Sequence, residues 1–277
     1  MATKSPHNHQ QKHLAVLIDA DNAQAAIVEG LFEEIAKYGV ASVKRMYGDW
    51  TSPQLGSWKK LMLEHSIQPI QQFAYTKGKN ATDSSLIIDA MDLLYTRRFD
   101  GFCLVSSDSD FTRLAARLRE EGMTVYGFGE EKTPKPFVSA CDKFIYTEIL
   151  RAEVAVEQGG QGEKIPAAAH PVAEVEKPSP PPTSAKQPKV PVEFIAKILD
   201  DIADEDGWAP LGALGNNISQ LRSDFDSRLY GHTKLSGLIR SQSKSFELES
   251  RGGSSTGGSV LYVRNKNRGG ANGQLSN

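Results

Sequence analysis

Cysteine is scarce in this sequence, with only Cys103 and Cys141 among 277 residues. The two are not spaced as C-x-x-C, which argues against a zinc site or a disulfide framework and fits a reducing cytoplasm. No apolar run approaches the roughly 20 residues of a membrane span. The polar N-terminus lacks the apolar core of a signal peptide. We therefore expect a cytoplasmic protein with no membrane partner.

The signatures of several common enzyme classes are also missing. There is no G-x-x-x-x-G-K-[ST] phosphate loop, and the G-F-G at residues 127–129 is too short for a dinucleotide fingerprint. Between residues 14 and 150 the only histidine is His65, so no Ser–His–Asp arrangement is visible. The net charge of −2 excludes a globally basic nucleic-acid binder. Residues 14–150 carry 15 Lys and Arg against 19 Asp and Glu, whereas residues 189–268 carry 11 against 10.

Strand-like and helix-like segments alternate through a first domain at residues 14–151. Such alternation with short connections predicts an α/β fold, with a parallel sheet covered by helices on both faces. The runs LAVLI and GFCLV are apolar throughout, as expected for strands buried on both sides. We predict strands near residues 14–19, 41–47, 67–73, 101–106, 123–128 and 143–146, and helices near 23–37, 54–65, 83–96 and 110–121.

The rest of the chain divides into a linker and a second, smaller domain. Residues 152–190 are rich in Pro, Ala and Glu, which predicts a semi-extended linker. Residues 191–264 predict a winged-helix-like module, in which helices are followed by a hairpin. The ends, residues 1–13 and 265–277, are expected to be flexible tails. The module's predicted elements are a helix with the stripe Phe194, Ile195, Ile198, Leu199 and Ile202, helices near 211–222 and 233–241, and β runs at Ser245–Glu249 and Ser259–Val263.

Acidic side chains follow three of the predicted strands at or soon after the point where each strand ends. The carboxyl ends of parallel strands lie along one edge of a sheet, where ligands bind, so these side chains are expected to converge. Crowded carboxylates favour a divalent cation, and oxygen-only ligands favour Mg²⁺ or Mn²⁺. The residues concerned are Asp19, Asp21 and Asn22 after the first strand, Asp83 after the third, and Asp108 and Asp110 after the fourth.

Each of these residues has a simpler structural explanation when it is taken alone. Asp21 or Asn22 would suit a helix N-cap, and Asp83 would favour the positive end of the helix that it begins. Capping accounts for one polar residue after the first strand but not for Asp19 as well. Because three strand ends share the pattern, we favour a common metal site over coincidence.

A carboxylate site of this kind suits the hydrolysis of a phosphodiester. Two metal ions about 3.5–4 Å apart can activate water, neutralise the phosphoryl group and stabilise the leaving oxygen, so no catalytic histidine is required. Asp89 and Asp92 lie on the same helix as Asp83 but on other faces at 100° per residue, and we leave them out of the site. Lys77 and Lys79, in the loop before Asp83, are predicted to contact substrate phosphates.

The first domain resembles the NYN domain, a relative of PIN-type nucleases. The motifs LAVLIDADN, KGKNATDSSLIIDAMDLLY and GFCLVSSDSDFTRLAARLREEGMTVYGFG occur in order, and SACDKFIYTEIL resembles the way such domains end. The resemblance covers residues 13–150 and implies a PIN-like, Rossmann-like sandwich with an Mg²⁺- or Mn²⁺-dependent ribonuclease site. It implies Asp19, Asp83, Asp108 and Asp110 as catalytic metal ligands and Asn22 as a supporting catalytic residue; Ser106 or Ser107 would orient ligands or substrate.

The second domain resembles the LOTUS (OST-HTH) domain. The similar segments are FIAKILDDIADEDGWAPLGALGNNI and FDSRLYGHTKLSGLIRSQSKSFELES. The resemblance implies a winged helix associated with RNA binding, including guanine-rich RNA, and in some relatives with a helicase, which would be an RNA-processing protein partner. A homodimer would also suit this type of module. Candidate contacts to RNA phosphates are Lys234, Arg240, Lys244, Arg251 and Arg264.

Three functional hypotheses follow from the sequence. The leading one is a cytoplasmic ribonuclease to which the second domain recruits RNA. A phosphatase of the haloacid dehalogenase type ranks lower: Asp19-x-Asp21 is similar to its motif, but Ala23 stands where that motif expects Thr or Val. The third is a non-catalytic RNA-binding or adaptor protein, because retained ligands do not prove turnover.

Overall fold

The computed structural model describes residues 11–72, 81–151, 188–252 and 259–267. The chain forms two compact units, of which the first contains a six-stranded sheet and the second a three-stranded sheet. In the described ranges no helix is long and apolar enough to cross a membrane. Lys77, Lys79, most of the predicted linker and most of both predicted tails lie outside the described residues.

Six parallel strands build the first unit's sheet, which confirms the predicted α/β class. Their order is β3-β2-β1-β4-β5-β6. The chain therefore moves outward from β1 to β3, then crosses back to β4 beside β1, and this reversal is where open α/β sheets bind ligands. The strands are β1 (His13–Asp19), β2 (Val40–Gly48), β3 (Gln68–Gln71), β4 (Gly101–Val105), β5 (Thr124–Gly129) and β6 (Lys143–Tyr146).

The helices of the first unit connect these strands. The four predicted helices are present, and the last of them begins with a 3₁₀ turn at Ser109–Phe111. Two further helical segments, α5 and residues 147–151, were not predicted, because each is too short to show a helical period. The helices are α1 (Val28–Ala36), α2 (Trp58–Glu64), α3 (Ala81–Tyr95), α4 (Thr112–Glu120) and α5 (Lys135–Ala140).

The core lies on both faces of the sheet. Every residue from Leu14 to Ile18 is buried, although alternate side chains of a strand point to opposite faces. On one face β1 packs against a cluster that includes Leu31 of α1 and Trp58 of α2. Helix α3 contacts β1 and β2, and α4 contacts β5. This confirms the expectation for LAVLI, and it leaves the strand ends as the places where polar side chains can gather.

The C-terminal part folds into helices and an antiparallel sheet, as predicted. The sheet has the order β7-β9-β8, with both pairs antiparallel. The predicted hairpin is present as β8 and β9. Strand β7 was not predicted, because three residues cannot display an alternating pattern. The elements are α6 (Val192–Ile202), β7 (Trp208–Pro210), α7 (Leu211–Leu221), α8 (Leu235–Ser241), β8 (Phe246–Arg251) and β9 (Val260–Asn265).

Candidate metal centre

The predicted site lies at the carboxyl edge of the first sheet, beside the strand reversal. Asp19 is the last residue of β1, and Ser106 follows directly after the neighbouring strand β4. Asp83 lies in the first turn of α3, the helix that contacts β1 and β2. Parallel strands with this order therefore place residues from three distant segments at one edge, as the sequence predicts.

Asp19 is fully buried and is held by three hydrogen bonds. Its Oδ2 accepts from Nδ2 of Asn22 and from Oγ of Ser106, both at 2.8 Å, and its Oδ1 accepts from the backbone N of Asp21 at 3.0 Å. Burial raises the pKa of Asp19 above its usual value, and the hydrogen bonds from Asn22 and Ser106 offset only part of this rise. The three bonds fix the carboxylate in one orientation, and a catalytic role for Asn22 stays a prediction.

Ser106 connects two of the predicted acids. Besides donating to Asp19, its Oγ accepts a hydrogen bond from the backbone N of Asp108 at 3.0 Å. Ser107 is also buried, and its Oγ accepts from the backbone N of Glu130 at 2.9 Å. Both hydroxyls therefore bond to protein atoms. The bonds of Ser106 suit a residue that orients the acids, and the bond of Ser107 attaches the residue that follows β5.

Three carboxylates form a group of the size that a metal ion needs. One oxygen from each of Asp83, Asp108 and Asp110 can be chosen so that all lie within 4.8 Å of one another. Asp108 also caps the 3₁₀ turn at Ser109–Phe111, because its Oδ1 accepts from the backbone N of Asp110 at 2.9 Å. Asp108 is therefore both the cap of this turn and a member of the three-carboxylate group, so capping and convergence do not exclude each other.

The pKa of Asp83 reflects this crowding of negative charges. Its pKa is raised from 3.8 to about 6, first by burial and then by the negative charges of Asp19, Asp108 and Asp110. Asp19 is not a member of the three-carboxylate group, but its charge acts on Asp83. A cluster of this kind is relieved by a proton or by a cation. Since all its donors are carboxylate oxygens, the residues present fit a hard divalent ion such as Mg²⁺ or Mn²⁺.

The two acids that were left out of the site lie elsewhere on α3. Asp89 pairs through Oδ2 with Nη1 of Arg45 at 2.8 Å and accepts from the hydroxyl of Tyr47 at 2.9 Å. Asp92 is exposed. Arg45 and Tyr47 belong to β2, so the Asp89 pair attaches α3 to the sheet and fixes the helix that carries Asp83.

Polar residues after β2 contribute to the same edge and were missed. Oδ1 of Asp49 accepts from the backbone N of Thr51 at 3.1 Å and from Nε2 of Gln71 at 2.9 Å. Nε1 of Trp50 donates to the carbonyl oxygen of Ile70 at 3.1 Å. The available signal was the same one used elsewhere, an acidic residue directly after a strand. These bonds join the ends of β2 and β3 beside β1.

Three of the five predicted RNA contacts of the second domain lie in or near α8, and the other two, Arg251 and Arg264, lie on β8 and β9. Lys234 precedes the helix as its N-cap residue, Arg240 lies in its last turn, and Lys244 lies in the turn before β8. All three are exposed.

Comparisons with known proteins agree with both domain resemblances. Residues 13–150 match the NYN domain, and residues 183–257 match the OST-HTH/LOTUS domain. A search of curated proteins found no match.

Two solved structures are similar to parts of the chain. A protein of unknown function from Vibrio parahaemolyticus is 17% identical, with a TM-score of 0.42, over 50% of this chain and 94% of that one. An uncharacterized protein from Nitrosomonas europaea is 34% identical, with a TM-score of 0.27, over 34% of this chain and 91% of that one. Neither resemblance bears on function.

Proposed function

We propose that this protein, an NYN domain at residues 13–150 followed by an OST-HTH/LOTUS domain at residues 183–257, is a divalent-metal-dependent ribonuclease. NYN domains are PIN-like nucleases and LOTUS domains bind RNA. The observation that carries the proposal is the convergence of Asp83, Asp108 and Asp110 within 4.8 Å at the carboxyl edge of a parallel sheet. Such an edge is where this type of sheet binds ligands.

Asp83, Asp108 and Asp110 would hold Mg²⁺ or Mn²⁺. When bound, such an ion activates water and neutralises charge on a phosphoryl group. The negative charge of Asp19 acts on Asp83, and the bonds from Asn22 and Ser106 keep the oxygens of Asp19 in place. Because Ser106 also bonds to the backbone of Asp108, it sets the position of one ligand relative to Asp19.

The second domain would supply RNA to this site. Lys234, Arg240 and Lys244 are exposed and suit contacts to phosphates. A binding module joined by a linker raises the local concentration of its ligand at the neighbouring site. We also propose a cytoplasmic location, which the two free cysteines support. A homodimer and an RNA-processing protein partner stay predictions from the sequence.

The test compares Asp19→Asn with wild type on labelled single-stranded RNA, single-stranded DNA and a small phosphate monoester, in Mn²⁺ or in EDTA. We expect RNA cleavage only with the metal. Asp19→Asn should slow it by roughly a thousandfold, or about 4 kcal/mol of transition-state stabilisation, because the buried charge is lost. Asp92→Asn, an exposed acid on α3, is the matched control and should cleave normally.

Other outcomes identify the alternative functions. Hydrolysis of the monoester without cleavage of RNA would support a phosphatase. Binding of RNA without cleavage in Mn²⁺ would support a non-catalytic RNA-binding protein. Equal cleavage by Asp19→Asn and wild type would remove Asp19 from the site.

A further inference from the structure

One face of the three-stranded sheet is built from arginine and aromatic side chains. Arg264 lies on the central strand β9, between Trp208 of β7 and Glu247 of β8. On the same strand, Tyr262 lies opposite Glu249 of β8. Side chains two residues apart on a strand share a face, so Tyr262 and Arg264 point to the same side. We name the stacking face by the four residues Trp208, Arg251, Tyr262 and Arg264.

The guanidinium groups of this face lie against aromatic rings. Arg251 is 4.4 Å from the ring centre of Trp208 and 4.9 Å from that of Tyr262. Arg264 is 4.8 Å from the ring centre of Trp208. Trp208 is only 8% exposed, whereas the side chains of Arg251 and Arg264 are 37% and 41% exposed. Solvent therefore meets the two arginines and their neighbours Glu247 and Glu249, whereas the Trp208 ring lies beneath them.

Each arginine is also paired with a glutamate beside it. Arg251 bonds to Oε2 of Glu249 at 3.0 Å, and Arg264 bonds to Oε2 of Glu247 at 2.6 Å. A ring on one side and a carboxylate at the edge limit the rotamers of both arginines, so less conformational entropy is lost when a ligand binds. The pairs also balance the charge of the face, which makes it a poor match for a ligand recognised by phosphate charge alone.

A flat ligand with a polar edge fits this chemistry. Unpaired RNA bases stack on aromatic rings and on arginine guanidinium planes, and carboxylates accept hydrogen bonds from base amino groups. We propose that the stacking face binds unpaired bases of single-stranded RNA, with stacking on Arg251, Arg264 and Tyr262 and with Glu247 and Glu249 bonding to base edges. The proposal rests on RNA as the ligand in the proposed function, but it does not depend on cleavage.

The experiment uses the full chain in EDTA, so that no metal-dependent cleavage occurs. The probes are a single-stranded RNA that carries 2-aminopurine, whose fluorescence falls on stacking, and the same RNA in a duplex. Arg251→Lys/Arg264→Lys keeps both charges but removes both planar groups. Tyr262→Leu keeps an apolar side chain without a π face. Arg98→Lys, at an exposed arginine of the first domain, is the matched control.

We expect wild type to quench the single-stranded probe and to bind it more tightly than the duplex. The double variant should bind the single strand about tenfold more weakly or worse, with little quenching. Tyr262→Leu should weaken binding in the same direction, and Arg98→Lys should behave as wild type. Circular dichroism checks that each variant is folded; should the double variant unfold, Tyr262→Leu decides the question.

Three results would overturn the proposal. The first is equal binding and quenching by folded Arg251→Lys/Arg264→Lys and wild type, which would show contacts to phosphates only. The second is tighter binding of the duplex. The third is an absence of quenching in wild type, which would mean that the stacking face only shields Trp208 from solvent or binds a protein. If wild type gave this third result but still cleaved RNA in Mn²⁺, only this inference would be overturned. If wild type quenched the probe but did not cleave RNA in Mn²⁺, only the nuclease proposal would be overturned.

Discussion

Carboxylates are arranged in opposite ways in the two domains. At the edge of the first sheet, Asp83, Asp108 and Asp110 converge, and burial together with the neighbouring negative charges raises the pKa of Asp83 to about 6. On the stacking face, Glu247 and Glu249 each bond to an arginine. Like charges at short range favour a neutral form, whereas opposite charges satisfy each other. The first arrangement is therefore suited to an added cation, and the second to contact with uncharged groups such as RNA bases.

The largest effect that sharpens this comparison should come from Ser106→Ala. The variant removes the donor to Oδ2 of Asp19, which is a buried bond, and the acceptor for the backbone N of Asp108, which is a part-buried bond. Unpaired buried groups cost about 1–3 kcal/mol, and a small displacement of a catalytic group can cost on the order of 10²-fold in rate. We expect the rate of RNA cleavage in Mn²⁺ to fall by about that factor.

Ser109→Ala is the matched control for this prediction. Ser109 begins the 3₁₀ turn three residues after Ser106 and is exposed, so its variant should cleave RNA at the wild-type rate. If Ser106→Ala cleaved as fast as Ser109→Ala, then the bridge between Asp19 and Asp108 would not set the geometry of the site.

A smaller effect, with an unusual sign, is expected from Asp83→Asn. The folded-state pKa of Asp83 is raised from 3.8 to about 6. Between these two pH values, the Asp83 carboxyl group of the metal-free folded protein is protonated, whereas that of the unfolded chain is ionised. The stability that this proton provides is complete below about pH 4 and is lost as pH rises through 6. Asn cannot ionise, so at pH 7 without metal the variant should be more stable than wild type by on the order of 1 kcal/mol, a few degrees in Tm.

Thermal unfolding with and without Mn²⁺ checks this prediction. An ion that binds only the folded state raises Tm, so wild type should gain stability from Mn²⁺ and Asp83→Asn should gain little. Asp92→Asn, on the same helix but exposed, should respond to Mn²⁺ as wild type does. A metal-free Asp83→Asn that is less stable than wild type at pH 7 would contradict the repulsion argument.

The sequence predicted a feature correctly where a single pattern of residues determines that feature. The apolar run from Leu14 to Ile18 predicted a strand buried on both faces, and that is the environment of β1. Acids at strand ends predicted convergence because parallel strands share an edge, and Asp83 and Asp108 do converge. Angles around the helix separated Asp89 from Asp83, and Asp89 is paired with Arg45.

Features that depend on packing between segments were not predictable. The adjacency of β1 and β4 follows from a crossover, and nothing in either strand's own residues specifies it. The distinction between the buried Asp19 and the three-carboxylate group depends on rotamers and on Ser106. The stacking face depends on the register between β7 and β9, and β7 is too short to recognise. Arg251 and Arg264 were therefore assigned singly to phosphates.

The smallest predicted effect concerns Glu247→Gln on the stacking face. The bond from Arg264 lowers the pKa of Glu247, so this carboxylate is charged at neutral pH and balances its partner. The pair is exposed, and such pairs contribute little to stability, so Tm should stay close to wild type, in contrast to Asp83→Asn. Removing the negative charge of Glu247 leaves Arg264 available to contact one RNA phosphate. The slope of log K for single-stranded RNA binding against log salt concentration should then steepen by about 0.7. Titrations of wild type and Glu247→Gln at several salt concentrations measure this slope, and an unchanged slope would show that Arg264 does not come near the RNA.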